Sequence, residues 1–360
     1  MKRIKRTIAL LFTALALGAL AGCGAPAPIE GCEAVGDIQP HCQMQAPEDI
    51  AALNDGRYLL LAHFGGMDEG AGSISLFDTQ TAESTHLFPA ASATQPVQEL
   101  WGDASCTTPP GETFSPHGTH LHQLEDGRWR YLVVNHGSRE AVELFELDNA
   151  GGDSTVHWRG CVFAAPDTFM NDVVGLDNGD VIYTRMFKTG GGWELLKSLA
   201  GIPSGDVWRW NQDTGLRVLP GTEAAQPNGI EISEDNRHVF ANMYLEEEVW
   251  KLDAETGEVL ATAPVSNADN SAWGTDGRLW IASHKSVLEL IACFEVKEKP
   301  CGAAFEIIAL DPEDMSTEVL FAWEGAPMGA ATVAVPQNGR VYMGSFAGDR
   351  LISVPDFSTQ

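Results

Sequence analysis

The chain has 360 residues, 44% hydrophobic and 20% charged, ordinary values for one large or two medium globular domains. Disorder, collagen and coiled coil are excluded for the chain as a whole. With 22 basic against 50 acidic residues the net charge is -28, which excludes a nucleic-acid-binding surface, because phosphate affinity needs a basic patch. Such a charge fits an extracytoplasmic or salty setting, or a protein that binds cations.

The N-terminal segment reads as an address. Lys2, Arg3, Lys5 and Arg6 precede an apolar run from Ile8 to Leu20 that is short for a membrane span. The run ends in Leu20-Ala21-Gly22-Cys23, which resembles the bacterial lipobox, whose cysteine becomes the lipidated first residue. Residues 1–22 are therefore expected to be a lipoprotein signal peptide, with Cys23 the lipid anchor and 23–46 a tether. An ordinary secretory signal with a chance cysteine is the alternative. Loss of the leader removes four basic residues and leaves a charge of -32. Gly24 gives no sign of inner-membrane retention, so the expected place is the bacterial cell envelope, at the outer membrane.

Export implies an oxidising compartment. The remaining cysteines are Cys32, Cys42, Cys106, Cys161, Cys293 and Cys301. An even number suggests disulfides, and short loops favour Cys32–Cys42 and Cys293–Cys301, leaving Cys106–Cys161. A zinc site is the rival reading, but no Cys-x-x-Cys spacing supports it.

From residue 47 on, one pattern recurs. Alternating apolar and polar residues lead into a tight turn and out into a second strand. The turns are Asn54-Asp55-Gly56, Glu125-Asp126-Gly127, Asp177-Asn178-Gly179, Glu234-Asp235-Asn236, Thr275-Asp276-Gly277 and Gln337-Asn338-Gly339. Asp-Gly and Asn-Gly supply the positive φ that hairpins need. The turns sit 71, 52, 57, 41 and 62 residues apart. Six such units predict an all-β fold, a six-bladed β-propeller over 47–360 with a central tunnel. The last unit lacks an outer strand, which the segment between Pro28 and Met44 would supply to close the ring.

In a propeller the first strand of each blade lines the tunnel. Counting back eight residues from the turn reaches Glu48, Asn171, Asn228, Asp269 (with Asn270 beside it) and Ala331; in the second unit, ten residues back, it reaches His117. All but the alanine and the histidine offer oxygen. Two carboxylates with amide oxygens form a hard-cation set of the kind Ca²⁺ accepts, whereas zinc would call for His or Cys. Each residue alone is equally at home as a turn residue; the shared register is what points to a metal.

His117 takes the tunnel position of the second unit, and His136 lies at the far end of the next strand. Antiparallel pairing would bring them together, and a histidine beside a metal-bound water is a natural general base. His120 and His122 are read as structural. No Gly-x-Ser-x-Gly, His-Glu-x-x-His or P-loop motif occurs. The insertion from Met186 to Ser204 carries Phe187 and Trp193, either as a lid over the tunnel mouth or as a helix on the blades.

Taken in order, Glu48-Asp49, Pro116-His117-Gly118, Val133-Val134-Asn135-His136, Glu143-Leu144-Phe145, Asn171-Asp172, Asn228-Gly229-Ile230 and Asp269-Asn270 resemble the paraoxonases, calcium-dependent arylesterases and lactonases within the gluconolactonase-like propellers. The resemblance runs from about Pro47 to Val354. It implies two Ca²⁺ ions. Glu48, Asn171, Asn228, Asp269 and Asn270 would hold the catalytic ion. Asp49, Asp172 and the Thr119 carbonyl would hold a deeper, structural one. His117 would be the general base and His136 its partner, with Asp269 the other candidate base. Phe187 and Trp193 are substrate-wall candidates. The family's disulfide to its last strand has no counterpart here, so ring closure must differ. The segment from Arg185 to Trp193 also departs, which leaves the substrate open among lactones, aryl esters and phosphotriesters.

The expected function is calcium-dependent hydrolysis of a small lactone or aryl ester. A calcium-stabilised binding propeller without catalysis is the alternative, as is a related propeller hydrolase acting on sugar lactones or phosphotriesters.

Overall fold

The structure is a computed structural model that describes residues 28–66, 70–90, 93, 99–148, 151–189, 192–294, 296 and 298–357. The expected signal peptide, 1–22, and Cys23 lie outside the described residues.

Strand β1 (Gln39–Cys42) comes first among the described residues. The first blade holds β2 (Pro47–Ala52), β3 (Tyr58–His63), β4 (Ser73–Asp78) and β5 (Glu83–Phe88). The second holds β6 (Trp101–Gly102), β7 (Pro116–Gln123), β8 (Trp129–Asn135), β9 (Ala141–Asp148) and β10 (Thr155–Phe163). The third holds β11 (Thr168–Gly175), β12 (Val181–Lys188), β13 (Asp206–Asn211) and β14 (Gly215–Val218), with helix α1 (Gly192–Leu199) between β12 and β13. The fourth holds β15 (Pro227–Ile232), β16 (His238–Met243), β17 (Glu248–Asp253) and β18 (Val259–Pro264). The fifth holds β19 (Ala268–Trp273), β20 (Leu279–His284), β21 (Phe305–Leu310) and β22 (Thr317–Trp323), with helix α2 (Val287–Cys293) between β20 and β21. The sixth holds β23 (Ala331–Gln337), β24 (Arg340–Ser345) and β25 (Arg350–Pro355).

Each blade is built on an antiparallel meander, the second with β6 added in parallel at its edge, and the six make the expected propeller. The predicted hairpin turns are where the sequence put them, with Gly56 at φ 73°, Gly127 at 86° and Asn236 at 58°. Ring closure also follows the expectation. β1 pairs antiparallel with β25, Gln39 opposite Ser353 through Cys42 opposite Arg350, and so completes the sixth blade from the N-terminal side. The disulfides Cys32–Cys42, Cys106–Cys161 and Cys293–Cys301 are all formed. Cys32–Cys42 staples the closing strand to its own approach. Cys106–Cys161 ties β10 to the loop after β6, which adds a parallel fifth strand to the second blade.

The core lies between blades. Leu60, Ile74 and Phe88 of the first pack on Phe114, Tyr131 and Phe145 of the second. Equivalent sets fill the other junctions, ending with Leu59, Leu61 and Phe77 against Val333, Tyr342 and Leu351 where the ring closes. Each fully buried side chain of this size contributes about 1.5–3 kcal/mol. Alternation along the strands leaves the remaining positions of β2, β7, β11, β15, β19 and β23 for the tunnel. Among the described residues no helix is long and apolar enough to cross a membrane.

Candidate active site and metal centre

All six tunnel strands depart from regular register at one level. Pairing shifts between Pro47 and Asp49, Pro116 and Thr119, Met170 and Val173, Pro227 and Ile230, Ala268 and Ser271, and Ala331 and Val333. A bulge bends a strand and re-aims its side chains. Neighbouring residues in a regular strand face opposite sides, yet Glu48 and Asp49, Asn171 and Asp172, and Asp269 and Asn270 are all buried in this layer. The bulges make such pairs possible. They also require close backbone approach: a Cβ on Gly118 would lie 2.2 Å from Asp172 Oδ1, and one on Gly229 would lie 2.3 Å from the Asp269 carbonyl.

Second-strand side chains brace this layer. Thr184 donates to the Asn228 carbonyl at 2.5 Å, and Asn242 donates to the Asp269 carbonyl and to Ser271 Oγ. The sixth unit has no ligand atom at Ala331, and Thr332 instead donates to the Glu48 carbonyl at 2.5 Å.

Asn270 Nδ2 donates to Glu48 Oε1 at 2.9 Å. Four other oxygens of the predicted set, Glu48 Oε2, Asn171 Oδ1, Asn228 Oδ1 and Asn270 Oδ1, are buried with no hydrogen-bond donor among the described residues. An unpaired buried acceptor costs about 1–3 kcal/mol, so four in one layer call for a ligand. A cation held among them would give these acceptors a partner, and the donor set is all oxygen, as Ca²⁺ prefers. The residues present therefore fit the metal that the sequence implied.

The deeper pair has a different environment. Asp49 Oδ2 accepts from the Thr119 N–H at 2.6 Å and its hydroxyl at 2.8 Å, and Oδ1 accepts from Ile50 N–H at 2.9 Å. Asp172 accepts from Val173 N–H at 2.8 Å and Ile230 N–H at 2.9 Å.

Burial, then repulsion from Asp49, Asp269 and Asp172, raises the Glu48 carboxyl well above its ordinary range, against the Asn270 hydrogen bond. Burial first, then Asp49, raises Asp172. Burial pushes Asp49 up to about 6 and Asp269 up to about 8. Four carboxylates pressed together out of water are the electrostatic counterpart of the unpaired oxygens: both are relieved by positive charge.

The two histidines meet as expected. His117 Nδ1 and His136 Nε2 are 2.9 Å apart, and His117 Nε2 lies 3.5 Å from Glu48 Oε1. Burial, then His136, holds His117 well below the usual imidazole value, so it is neutral at neutral pH. Phe64 stacks on His117 at 4.7 Å and Phe169 on His136 at 4.1 Å. Phe187 stacks on Phe169 at 4.8 Å, which joins this substrate-wall candidate to the site. Trp193, the other one, stands 65% exposed on α1 with Leu196 and Leu199. His120 and His122 lie further along β7, where His122 accepts from Arg130 and His120 faces Glu231 at 3.5 Å.

Several site residues escaped the sequence reading. His284 Nε2 lies 3.7 Å from Asp269 Oδ2, and Tyr244 Oη lies 3.1 Å from its Nδ1. Burial lowers His284 to about 4. Counting seven residues forward from Gly277 reaches it, as the same count from Gly56 reaches His63. The same count from the other four turns reaches Val134, Met186, Met243 and Phe346, so the signal is confined to two units. Phe64 and Phe169 carried none, because partners in a stack are not local in sequence.

The site is a layer of buried carboxylates and amide oxygens beside a hydrogen-bonded histidine pair, carried by a six-bladed propeller. The sequence profile of the Arylesterase family matches residues 64–351, and the chain belongs to that family. It is similar to rat serum paraoxonase/arylesterase 1, with 24% identity over 246 residues, covering 65% of this chain and 66% of the relative. Human serum paraoxonase/arylesterase 2 is 21% identical over 240 residues with the same coverage. The matched region thus spans about two thirds of those relatives. In fold the chain is similar to a Xanthomonas campestris gluconolactonase, with a TM-score of 0.51 and 15% identity over 93% of this chain and 96% of that one. A luciferin-regenerating enzyme also has a TM-score of 0.51, at 10% identity over 87% of this chain and 92% of that one.

Proposed function

We propose that this chain is a calcium-dependent hydrolase of lactones and aryl esters. The observation that carries the reading is the set of four buried, unpaired oxygens on four blades beside a hydrogen-bonded histidine pair. Glu48, Asn171, Asn228, Asp269 and Asn270 would hold the ion at the reacting centre. Asp49, Asp172 and the Thr119 carbonyl would hold the deeper one. When bound, calcium supplies a Lewis acid for the carbonyl oxygen and charge to offset the developing oxyanion.

The chain's own residues do the rest. His117, neutral and stacked on Phe64, takes a proton from the attacking water. The water oxygen bonds to the carbonyl carbon, the ester C–O bond breaks, and His117 returns its proton to the leaving oxygen. His136 orients His117 through the bond between them. Phe169 and Phe187 offer an apolar wall on the His136 side, suited to an aryl ring or an acyl tail. The family and its relatives support ester chemistry, and the gluconolactonase-like fold is compatible with lactones.

Asp269 is the second candidate base; His284 Nε2 lies 3.7 Å from it and 3.0 Å from the Ala331 carbonyl. Hydrolysis of phenyl acetate and of a medium-chain γ- or δ-lactone, with CaCl₂ and after EGTA, tests the reading. Activity lost in EGTA and restored by Ca²⁺ supports it. No turnover of either, with a calcium-dependent rise in melting temperature, replaces it by the binding propeller.

We also propose that lipidated Cys23 anchors the chain at the bacterial envelope, on the strength of the basic, apolar and lipobox segments in order. An acylated N-terminal peptide by mass spectrometry, and release of Cys23→Ser into the soluble fraction, are the expected results. An unmodified mature N-terminus would remove the anchor.

A further inference from the structure

His136 has a second partner. Its Nδ1 lies 3.1 Å from Glu140 Oε1 and 3.0 Å from Oε2, on the loop between β8 and β9. Glu140 Oε1 also accepts the Met170 N–H of the next blade, at 2.6 Å. Arg139 beside it does not compete, because its guanidinium is committed to Glu143 through two 2.7 Å bonds and to the Thr108 carbonyl. The Glu140 carboxylate is therefore directed at His136.

These contacts choose a tautomer. We propose that Glu140 is the positioning residue that makes His117 a base, by fixing where both imidazoles carry their protons. The inference rests on His117 as the base of the proposed hydrolysis. A backbone N–H always donates, so Met170 holds Oε1 as an acceptor. A carboxylate has only acceptors to offer, so His136 must present Nδ1–H to it. His136 Nε2 is then a lone pair and receives Nδ1–H from His117. That leaves the lone pair of His117 on Nε2, the nitrogen on the Glu48 side.

One contact pulls the other way. Glu48 Oε1, 3.5 Å from His117 Nε2, would be better served by Nε2–H. It is the longer contact, and Glu48 Oε1 already accepts from Asn270 at 2.9 Å. The reverse tautomers would place the bare Nδ1 of His136 against a carboxylate at 3.0 Å. The shorter, less shared carboxylate decides. Ring flips offer no escape, since turning either imidazole over would set carbon where Nδ1 and Nε2 now stand and lose these nitrogen contacts.

Glu140→Gln is the discriminating variant, because it keeps size and loses the double acceptor. Met170 N–H retains the amide oxygen, so the amide NH₂ turns to His136 Nδ1 and reverses both tautomers. The expected loss in kcat is about 10²- to 10⁴-fold, with KM changed less than about threefold. Glu140→Asp, which keeps the carboxylate, should recover part of the loss. The direct readout is long-range ¹H–¹⁵N spectroscopy of the full chain labelled in histidine. Both rings should carry Nδ1–H in the native chain and Nε2–H in Glu140→Gln. A native spectrum with His117 protonated at Nε2 overturns the proposal, whether or not the chain hydrolyses esters. So does Glu140→Gln with native kcat, or with lowered kcat and unchanged tautomers. Should Glu140→Gln not fold, the native spectrum and Glu140→Asp decide. A chain with the expected tautomers and no hydrolysis would keep the positioning role and remove only the proposed function.

Discussion

Asn270 of the fifth blade donates to Glu48 of the first, at 2.9 Å and across 222 residues of sequence. The bond passes over the sixth blade, whose equivalent position is Ala331. It joins two expected ligands of the catalytic ion from the first and fifth blades. Its remaining oxygens, Glu48 Oε2 and Asn270 Oδ1, are left without donors among the described residues.

On the proposed reading, the fold depends on a cation held by these oxygens. Removal of calcium by EGTA should abolish hydrolysis and lower the melting temperature by about 10 °C, since a ligand at 1,000 times its Kd contributes about 4 kcal/mol. Scanning calorimetry with EGTA, then with restored CaCl₂, measures this. An unchanged melting temperature would mean that the buried oxygens find other partners.

His117→Gln should lower kcat by about 10²- to 10⁴-fold while calcium affinity moves by less than about twofold. Parallel kinetics and calcium titration separate the two. A loss of affinity large enough to explain the loss of rate would transfer the base role to Asp269, and Asp269 with His284 would become the pair to vary.

The disulfide between Cys106 and Cys161 closes a loop of 55 residues in sequence separation. Constraint of the unfolded chain by a loop of that length is worth about 4 kcal/mol. Cys106→Ser with Cys161→Ser should lower urea stability by that order and leave KM unchanged, because β6 and β10 lie on the outer side of the second blade. A shift in KM would show that the outer edge communicates with the site.

His41 of the closing strand gives a pH test. Burial, then Arg340, lowers it from 6.5 to about 4. Above 6.5 it is neutral folded or unfolded and pH has no effect through it. Between 6.5 and 4 the unfolded chain takes a proton that the folded chain refuses, so stability falls as pH falls. Urea melts of the native chain and His41→Gln at pH 7.5, 5.5 and 4.5 should converge or cross as the pH drops. A constant difference would exclude His41 as the titrating group.

Much of the site was legible because it repeats. Asn171, Asn228 and Asp269 stand at one distance from their turns, and that distance fixes their depth in the tunnel. Asp49 and Asp172 were not reached by counting, since period-two alternation turns the residue after a tunnel position outward. The aromatic contacts from Phe64 to Phe187 were invisible because they join different strands and loops, and the grip of Glu140 on His136, though only four residues long, depends on how the loop between β8 and β9 turns both side chains together.

The sequence by itself determined the turns, the strand alternation and therefore the blades, the count of six, and the strand that closes the ring. These rest on local backbone preferences and on the burial of every second side chain, which are written in consecutive residues. Tertiary structure alone decided the bulges that turn two neighbouring residues into one tunnel, the pairing of Glu48 with Asn270, and the contacts of both histidines. Those depend on how far one blade's backbone lies from the next, a distance set by the packing of six interfaces at once and by no segment alone.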